Sequence, residues 1–159
     1  MTTILFTRSD DFVSAIVRWF TKSAASHVGV CFDFDGIALV VHAYGRGGVQ
    51  VQRRSTFLAE RIPVAEFTVD VPTSLGPLLH EIGDKYDVPS LFHYVARRLG
   101  MRFQHPTVTP DARVCSELVA LLPIRAFCDL DPEMSSPQTL LKRCRTSSEL
   151  TEINASALG

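Results

Sequence analysis

The chain has no apolar run approaching the roughly 20 residues of a membrane span, so no helical membrane anchor is expected. It also has no excess of one charge. Sixteen Lys and Arg against seventeen Asp and Glu leave a formal net charge of -1, which gives no electrostatic reason to expect nucleic acid or an anionic membrane as partner. Residues 1–8 carry no basic stretch followed by a long apolar core, so no signal peptide is expected. The four cysteines, Cys31, Cys115, Cys128 and Cys144, show neither CxxC spacing nor a dense framework. That pattern favours reduced thiols in the cytoplasm, with later release by lysis or a secretion machine still open. There is no internal repeat and no interdomain linker. What remains is 159 residues, 46% apolar and 21% charged, an ordinary globular balance with enough length for one sizeable core. The expected organisation is one domain over residues 1–145 and a polar, fraying tail over 146–159.

Periodicity predicts an α+β fold, a small antiparallel sheet with helices packed against it. Residues 4–7 form a short strand, and Ser9 caps a helix carrying Phe12, Ile16, Val17 and Phe20 on one side. Residues 26–34 and 37–44 make two strands joined by Asp33-Phe34-Asp35-Gly36, a hairpin signal with Gly36 free to take positive φ. Gly45-Arg46-Gly47-Gly48 turns into a strand over 49–52. Ser55 caps a brief helical turn, and residues 64–71 return as a strand. Residues 73–86 and 89–99 read as helices, and Ser136-Pro137-Gln138 opens a last helix with proline suited to its first position.

Cys115 carries the sharpest chemical signal. Val114, Leu118, Leu121 and Leu122 share one helical face, with Pro110 and Asp111 suited to the start and Pro123 to the end. Cys115 then lies in a first turn, where unpaired N–H groups favour an anion and a thiol pKa is expected to fall. On the strands, His27, Gly29 and Cys31 share one face, and Val40 and His42 share another that can lie beside it. A nucleophilic thiol needs a base, and that base needs a partner to fix its tautomer. One cysteine and two histidines in these places fit those roles; they equally fit histidines that decorate a half-exposed sheet.

Ser26-His27-Val28-Gly29-Val30, then Val41-His42-Ala43 and Gly48-Val49, resemble the strand core of the NlpC/P60 superfamily, and Cys115-Ser116-Glu117-Leu118-Val119 resembles its nucleophile helix. The cysteine comes last, an order that resembles the circularly permuted branch of these papain-like cysteine peptidases and amidases. Gly83-Asp84-Lys85-Tyr86-Asp87 and Ser136-Pro137-Gln138-Thr139-Leu140-Leu141 resemble further segments of that branch, and the likeness spans roughly residues 3–145. It implies a permuted papain-like NlpC/P60 fold and a hydrolase that cleaves an amide, such as one in a cell-wall peptide, through an acyl-enzyme. Cys115 would be the nucleophile, His27 the general base and His42 the orienting group. Tyr86 would hold the oxyanion together with the Cys115 backbone N–H, and no metal or other cofactor is implied. Many permuted relatives carry glutamate where His42 stands.

Three other readings fit parts of the pattern. The lecithin–retinol acyltransferase group resembles this chain in the order of histidines and cysteine and would make the protein an acyltransferase or lipid hydrolase. Its cysteine stands in N-C-E-H-F, however, against Val114-Cys115-Ser116-Glu117-Leu118 here. A metal-binding module would use His27, Cys31 and His42, and lacks a close-spaced fourth ligand. A non-catalytic binding module on the same fold is a separate reading, against which a complete triad argues. Cys128 and Cys144 read as inert thiols. His80, His93 and His105 read as surface or capping residues, and Arg97, Arg98 and Arg102 as a solvated face or, alternatively, as groups that hold a substrate carboxylate. The peptide or amide substrate and the oligomeric state are not specified by the residues.

Overall fold

The computed structural model describes residues 1–45, 47–86, 112–130 and 135–153. The expected helix over 89–99, the helix start at Pro110 and Asp111, and Asp87, His93, His105, Arg97, Arg98 and Arg102 lie outside them. The frame is a six-stranded antiparallel sheet in the order β4-β3-β2-β1-β5-β8. Its strands are β1 (Thr2–Arg8), β2 (His27–Phe34), β3 (Ile37–Tyr44), β4 (Gly48–Arg53), β5 (Ile62–Val69) and β8 (Leu150–Ile153). Two short strands, β6 (Lys85–Tyr86) and β7 (Ala112–Arg113), pair in parallel beside it. The helices are α1 (Phe12–Thr21), α2 (Arg54–Ala59), α3 (Gly76–His80), α4 (Cys115–Ala120) and α5 (Pro137–Thr146), with a 3₁₀ turn at Arg125–Phe127. The expected α+β class holds, and no helix among the described residues is long and apolar enough to cross a membrane.

Alternation along the strands sorts the sheet into two faces. Ile4, Phe6, Val28, Val30, Val41, Ala43, Val49, Ala65 and Phe67 form the first face and pack with Cys115, Leu118 and Val119 of α4 and Leu140, Leu141 and Cys144 of α5. Leu118, Val119 and Leu140 are fully buried, each contributing about 1.5–3 kcal/mol of apolar burial. The second face is smaller: Leu5, Cys31 and Val40 lie under Phe57 of α2.

Local chemistry explains most boundaries. Asp35 (φ 52°) and Gly36 (φ 74°) both take positive φ, and the Asp33 carboxylate accepts the Gly36 N–H at 3.1 Å. This is the primed two-residue turn that matches strand twist. Helix α5 starts as expected, with Ser136 accepting the Thr139 N–H at 3.1 Å and Pro137 in the first turn. Helix α1 is capped by Asp11, not Ser9. The Asp11 carboxylate accepts the Ser14 N–H at 2.7 Å, and the Ser9 hydroxyl instead donates to Asp11. A carboxylate at the N-cap also meets the helix dipole, which a serine hydroxyl does not.

Two expectations are corrected. The helix expected over 73–86 reduces to five residues, Gly76–His80, and Lys85–Tyr86 is a strand. Gly83 takes φ 99° and donates its N–H to Val49 O, which bends the chain back onto the sheet. The boundary at residue 145, with a fraying tail after it, is also wrong for 146–153. Helix α5 runs to Thr146, and β8 pairs with β5 through Val69–Leu150 and Glu66–Ile153. Its polar residues face solvent at the sheet edge while Leu150 is buried. Four residues with one inward apolar side chain carry little periodic signal.

Candidate active site

The ladder between β2 and β3 pairs Phe34–Ile37 through Val30–Val41. One position beyond that last pair, Gly29 faces His42. A Cβ at residue 29 would stand 2.9 Å from Val40 Cγ1, 3.1 Å from Val41 O and 3.2 Å from His42 Cβ. Glycine therefore leaves the space through which the His42 ring reaches diagonally to His27. His27 Nε2 and His42 Nδ1 lie 3.2 Å apart in a hydrogen bond, with the rings near perpendicular. Phe57 covers both, its ring centre 5.8 Å from His27 and 4.8 Å from His42. The side-by-side histidines expected from alternation are thus present, buried to 7% and 0% exposure, not displayed on an open sheet.

Cys115 arrives from the other side. Helix α4 packs on the first face, whereas His27 and His42 project from the second. Cys115 and His27 can therefore meet only around the end of β2, not across one face as the strand alternation implied. The thiol comes close to the strand end itself: the backbone of Val28, the residue after His27, and of Ser116 act on it to favour the thiolate. Glu117 fixes the start of α4 by accepting the Val114 N–H at 3.0 Å. It supplies the N3 half of a capping box whose N-cap position, a valine, has no oxygen to give. The Ser116 hydroxyl donates to Ser135 O at 2.7 Å and ties α4 to the segment before α5.

Gly48 (φ 67°) begins β4, and Val49 N–H donates to Asp84 O at 2.8 Å. This joins the sheet to β6, whose partner β7 ends two residues before Cys115. The backbone of Tyr86 lies in that pair opposite Arg113; its side chain lies outside what the structure describes.

Electrostatics corrects one expectation. The helix start was expected to lower the Cys115 pKa, yet burial pushes the thiol up to about 11. A one-and-a-half-turn helix offers little dipole, and desolvation outweighs the backbone donors and the nearby Arg61 that favour the thiolate. His27 is held well below its ordinary range, first by burial, then by Arg61 and His42; His42 falls to about 4, first by burial and then by Arg61. Cys115 therefore rests as a neutral thiol, and His27 and His42 as neutral imidazoles. His42 Nε2 is buried without a hydrogen-bond partner, and the Gln52 side chain acts on the ring to favour its protonated form.

These shifts predict a bounded stability window. Both histidines resist protonation when folded, so stability is lost as pH falls from 6.5 through about 4. Cys31 and Cys115 rise to about 11 and Cys144 to about 12 from 9.0, so the unfolded chain releases protons first above pH 9. Each thiol is expected to cost on the order of 1 kcal/mol by about pH 10. Urea midpoints across this range, flat above 9 or below 6.5, would contradict these assignments.

The other expected residues separate. Cys31 turns to a polar cluster in which Glu66 accepts from Thr3 at 2.6 Å and from Arg54 at 2.8 Å. Among the described residues no three His, Cys, Asp or Glu side chains come together as a metal site, so the grouping of His27, Cys31 and His42 for a metal is not met. Cys128 is exposed, Cys144 is buried in the core, and His80 is exposed at the end of α3. Sequence reasoning missed Arg61 and Phe57. Phe57 could have been found as the one aromatic of α2; Arg61, between α2 and β5, gives no local signal.

No family model and no curated protein matches the chain. Among solved structures it is similar to the metalloprotein yiiX from Escherichia coli O157:H7, described as DUF1105, with a TM-score of 0.53 and 16% identity. The match covers 96% of this chain and 94% of that one, so the likeness is of the fold throughout both chains.

Proposed function

We propose that the protein is a cysteine hydrolase cleaving an amide bond, with Cys115 as nucleophile, His27 as general base and His42 as orienting residue, on a permuted papain-like NlpC/P60 frame. One observation carries the reading: the 3.2 Å bond between His27 Nε2 and His42 Nδ1, one residue along β2 from Val28, whose backbone acts on the Cys115 thiol.

The pair assigns tautomers. For His27 to accept a proton at Nδ1, its Nε2–H donates to His42 Nδ1, and His42 carries its own proton on Nε2. That is the atom left buried without a partner. The Cys115 proton passes to His27 Nδ1 as sulfur attacks the carbonyl carbon. The C=O π electrons move onto oxygen, held by the Cys115 backbone N–H, with Tyr86 as second donor by the same resemblance. As the C–N bond breaks, the imidazolium returns its proton to the departing amine, and water then hydrolyses the thioester with His27 again as base. Because thiol and imidazole both rest neutral, proton transfer accompanies attack rather than preceding it as a standing ion pair.

The test is product analysis by mass spectrometry after incubation with peptidoglycan fragments, isopeptides and phospholipids in parallel. A released amine supports the amidase; a fatty acid, or acyl transfer to an acceptor, assigns the lipid chemistry of the lecithin–retinol acyltransferase group instead. Variants rank the roles. His27→Ala is expected to lower kcat by about 10²–10⁴-fold. His42→Ala removes only orientation and leaves measurable turnover, and His42→Glu retains more, because a carboxylate also accepts the His27 N–H. Full turnover in His42→Ala would take His42 out of the reaction.

A further inference from the structure

Arg61 is a half-buried cation in the connection between α2 and β5, and neither the residue pattern nor the proposed reaction uses it. Its guanidinium carbon stands 4.8 Å from the centre of the Phe57 ring and 5.0 Å from that of Tyr44. Phe57 is the ring that also covers His27 and His42. Arg61 thus stands against the cover of the histidine pair, and its charge acts on Cys115, His27 and His42.

Two aromatic rings fix the guanidinium by cation–π contact without using its N–H groups. Tyr44, Glu60 and Asp11 act on it at a distance, but among the described residues no carboxylate ion-pairs with it and no acceptor takes its side-chain N–H groups. Glu66, the buried carboxylate on the same sheet face, is bonded to Arg54 and Thr3. A planar, permanently charged fork held rigid with its donors uncommitted suits a planar anion that it can bind bidentately. We propose that Arg61 is a specificity residue that binds a carboxylate on the substrate beside the scissile carbonyl, so that the protein prefers anionic acyl compounds to their neutral isosteres. This rests on Cys115 being the reacting atom at that site.

Alkylation tests the placement without needing turnover. Iodoacetate and iodoacetamide differ in carboxylate against amide, and Cys115 Sγ displaces iodide from either. Exposed Cys128 supplies an internal reference in the same chain. Peptide mass spectrometry of the intact protein is expected to give an iodoacetate-to-iodoacetamide rate ratio about tenfold higher at Cys115 than at Cys128, the scale of one charge acting over a few ångströms in a partly buried site. Arg61→Gln should bring the two ratios together, and Arg61→Lys should keep part of the difference. Circular dichroism confirms equal folding. Equal ratios in the unaltered protein, a ratio unmoved by Arg61→Gln, or no alkylation of Cys115 by either reagent would overturn the proposal.

A second arm uses acetyl-glutamyl and acetyl-glutaminyl aminomethylcoumarin, scored as the ratio of their kcat/KM values. Arg61→Gln is expected to lower that ratio about tenfold; an unchanged ratio counts against the carboxylate. Anion-selective alkylation with no amide hydrolysis would keep Arg61 as an anion site while ending the hydrolase reading, so the two failures are distinguishable. A preference shown only toward phosphorylated acyl compounds would replace the carboxylate with a phosphate and overturn the proposal as stated.

Discussion

Cys115→Ala is expected to abolish the proposed amide hydrolysis, with residual turnover lower by on the order of 10³-fold or more, because in that reaction the acyl group is carried on Cys115. Cys115 is 6% exposed, so the smaller side chain leaves a small cavity and the fold should survive at a cost of about 1 kcal/mol. Cys115→Ser should be nearly as inactive: a hydroxyl keeps the shape but is a far poorer nucleophile with a weakly placed base. The measurement is product formation at equal folded fraction, with intact-protein mass spectrometry of the unaltered protein to detect an acyl adduct on Cys115. Sustained turnover in Cys115→Ala would mean that the thiol does not react, whatever His27 contributes. The alkaline loss of stability should also shrink in this variant, since one of the three buried thiols with raised pKa is gone.

Gly48→Ala is expected to destabilise the protein by about 3–5 kcal/mol, the largest effect on stability anticipated for a change of one methyl group. Gly48 has φ 67°, and a Cβ there would stand 1.7 Å from Asp84 O and 2.8 Å from Asp84 C. Both are backbone atoms, so no side-chain rotation can relieve the clash. The contact belongs to the link in which Val49 N–H meets Asp84 O and Gly83 N–H meets Val49 O. Breaking it frees β6 from the sheet, and with it the β6–β7 pair that leads into Cys115. Stability by urea denaturation and Cys115 alkylation should change together. Gly36→Ala makes the control: its φ of 74° carries a similar backbone strain, but nothing lies within 4 Å of an added Cβ. If Gly48→Ala costs no more than Gly36→Ala, the close approach to Asp84 is not what holds that corner.

Much of this was legible because it is local. The Asp35-Gly36 turn, the strands on either side of it and the Ser136-Pro137 helix start follow from φ preferences and capping chemistry within four residues. Alternation put His27, Gly29 and Cys31 on one face and Val28 and Val30 on the other, and the packing of Val28 and Val30 into the main core agrees. The His27–His42 pair was readable as a possibility; the register and the missing Cβ at Gly29 make it a bond. Helix 73–86 misled because Leu75, Leu78, Leu79 and Ile82 have helical spacing, while Gly83 and the backbone link to Val49 end it early.

The sequence by itself determined the α+β class, the turns, the order of histidines before cysteine, and which side chains alternate inward. These depend on near neighbours along the chain, whose separations are known without the fold. Only the tertiary structure decided that α4 comes to the sheet face opposite the histidines and meets β2 at the end that pairs with β1 but runs beyond the β3 ladder. It alone made Cys115 a neutral, buried thiol instead of a helix-stabilised thiolate, since desolvation depends on everything packed around the sulfur. It alone brought Arg61 onto Phe57 and Tyr44, and drew residues 150–153 into the sheet. Contacts between residues far apart in the chain are fixed by the packing of whole elements, and no short stretch of sequence encodes them.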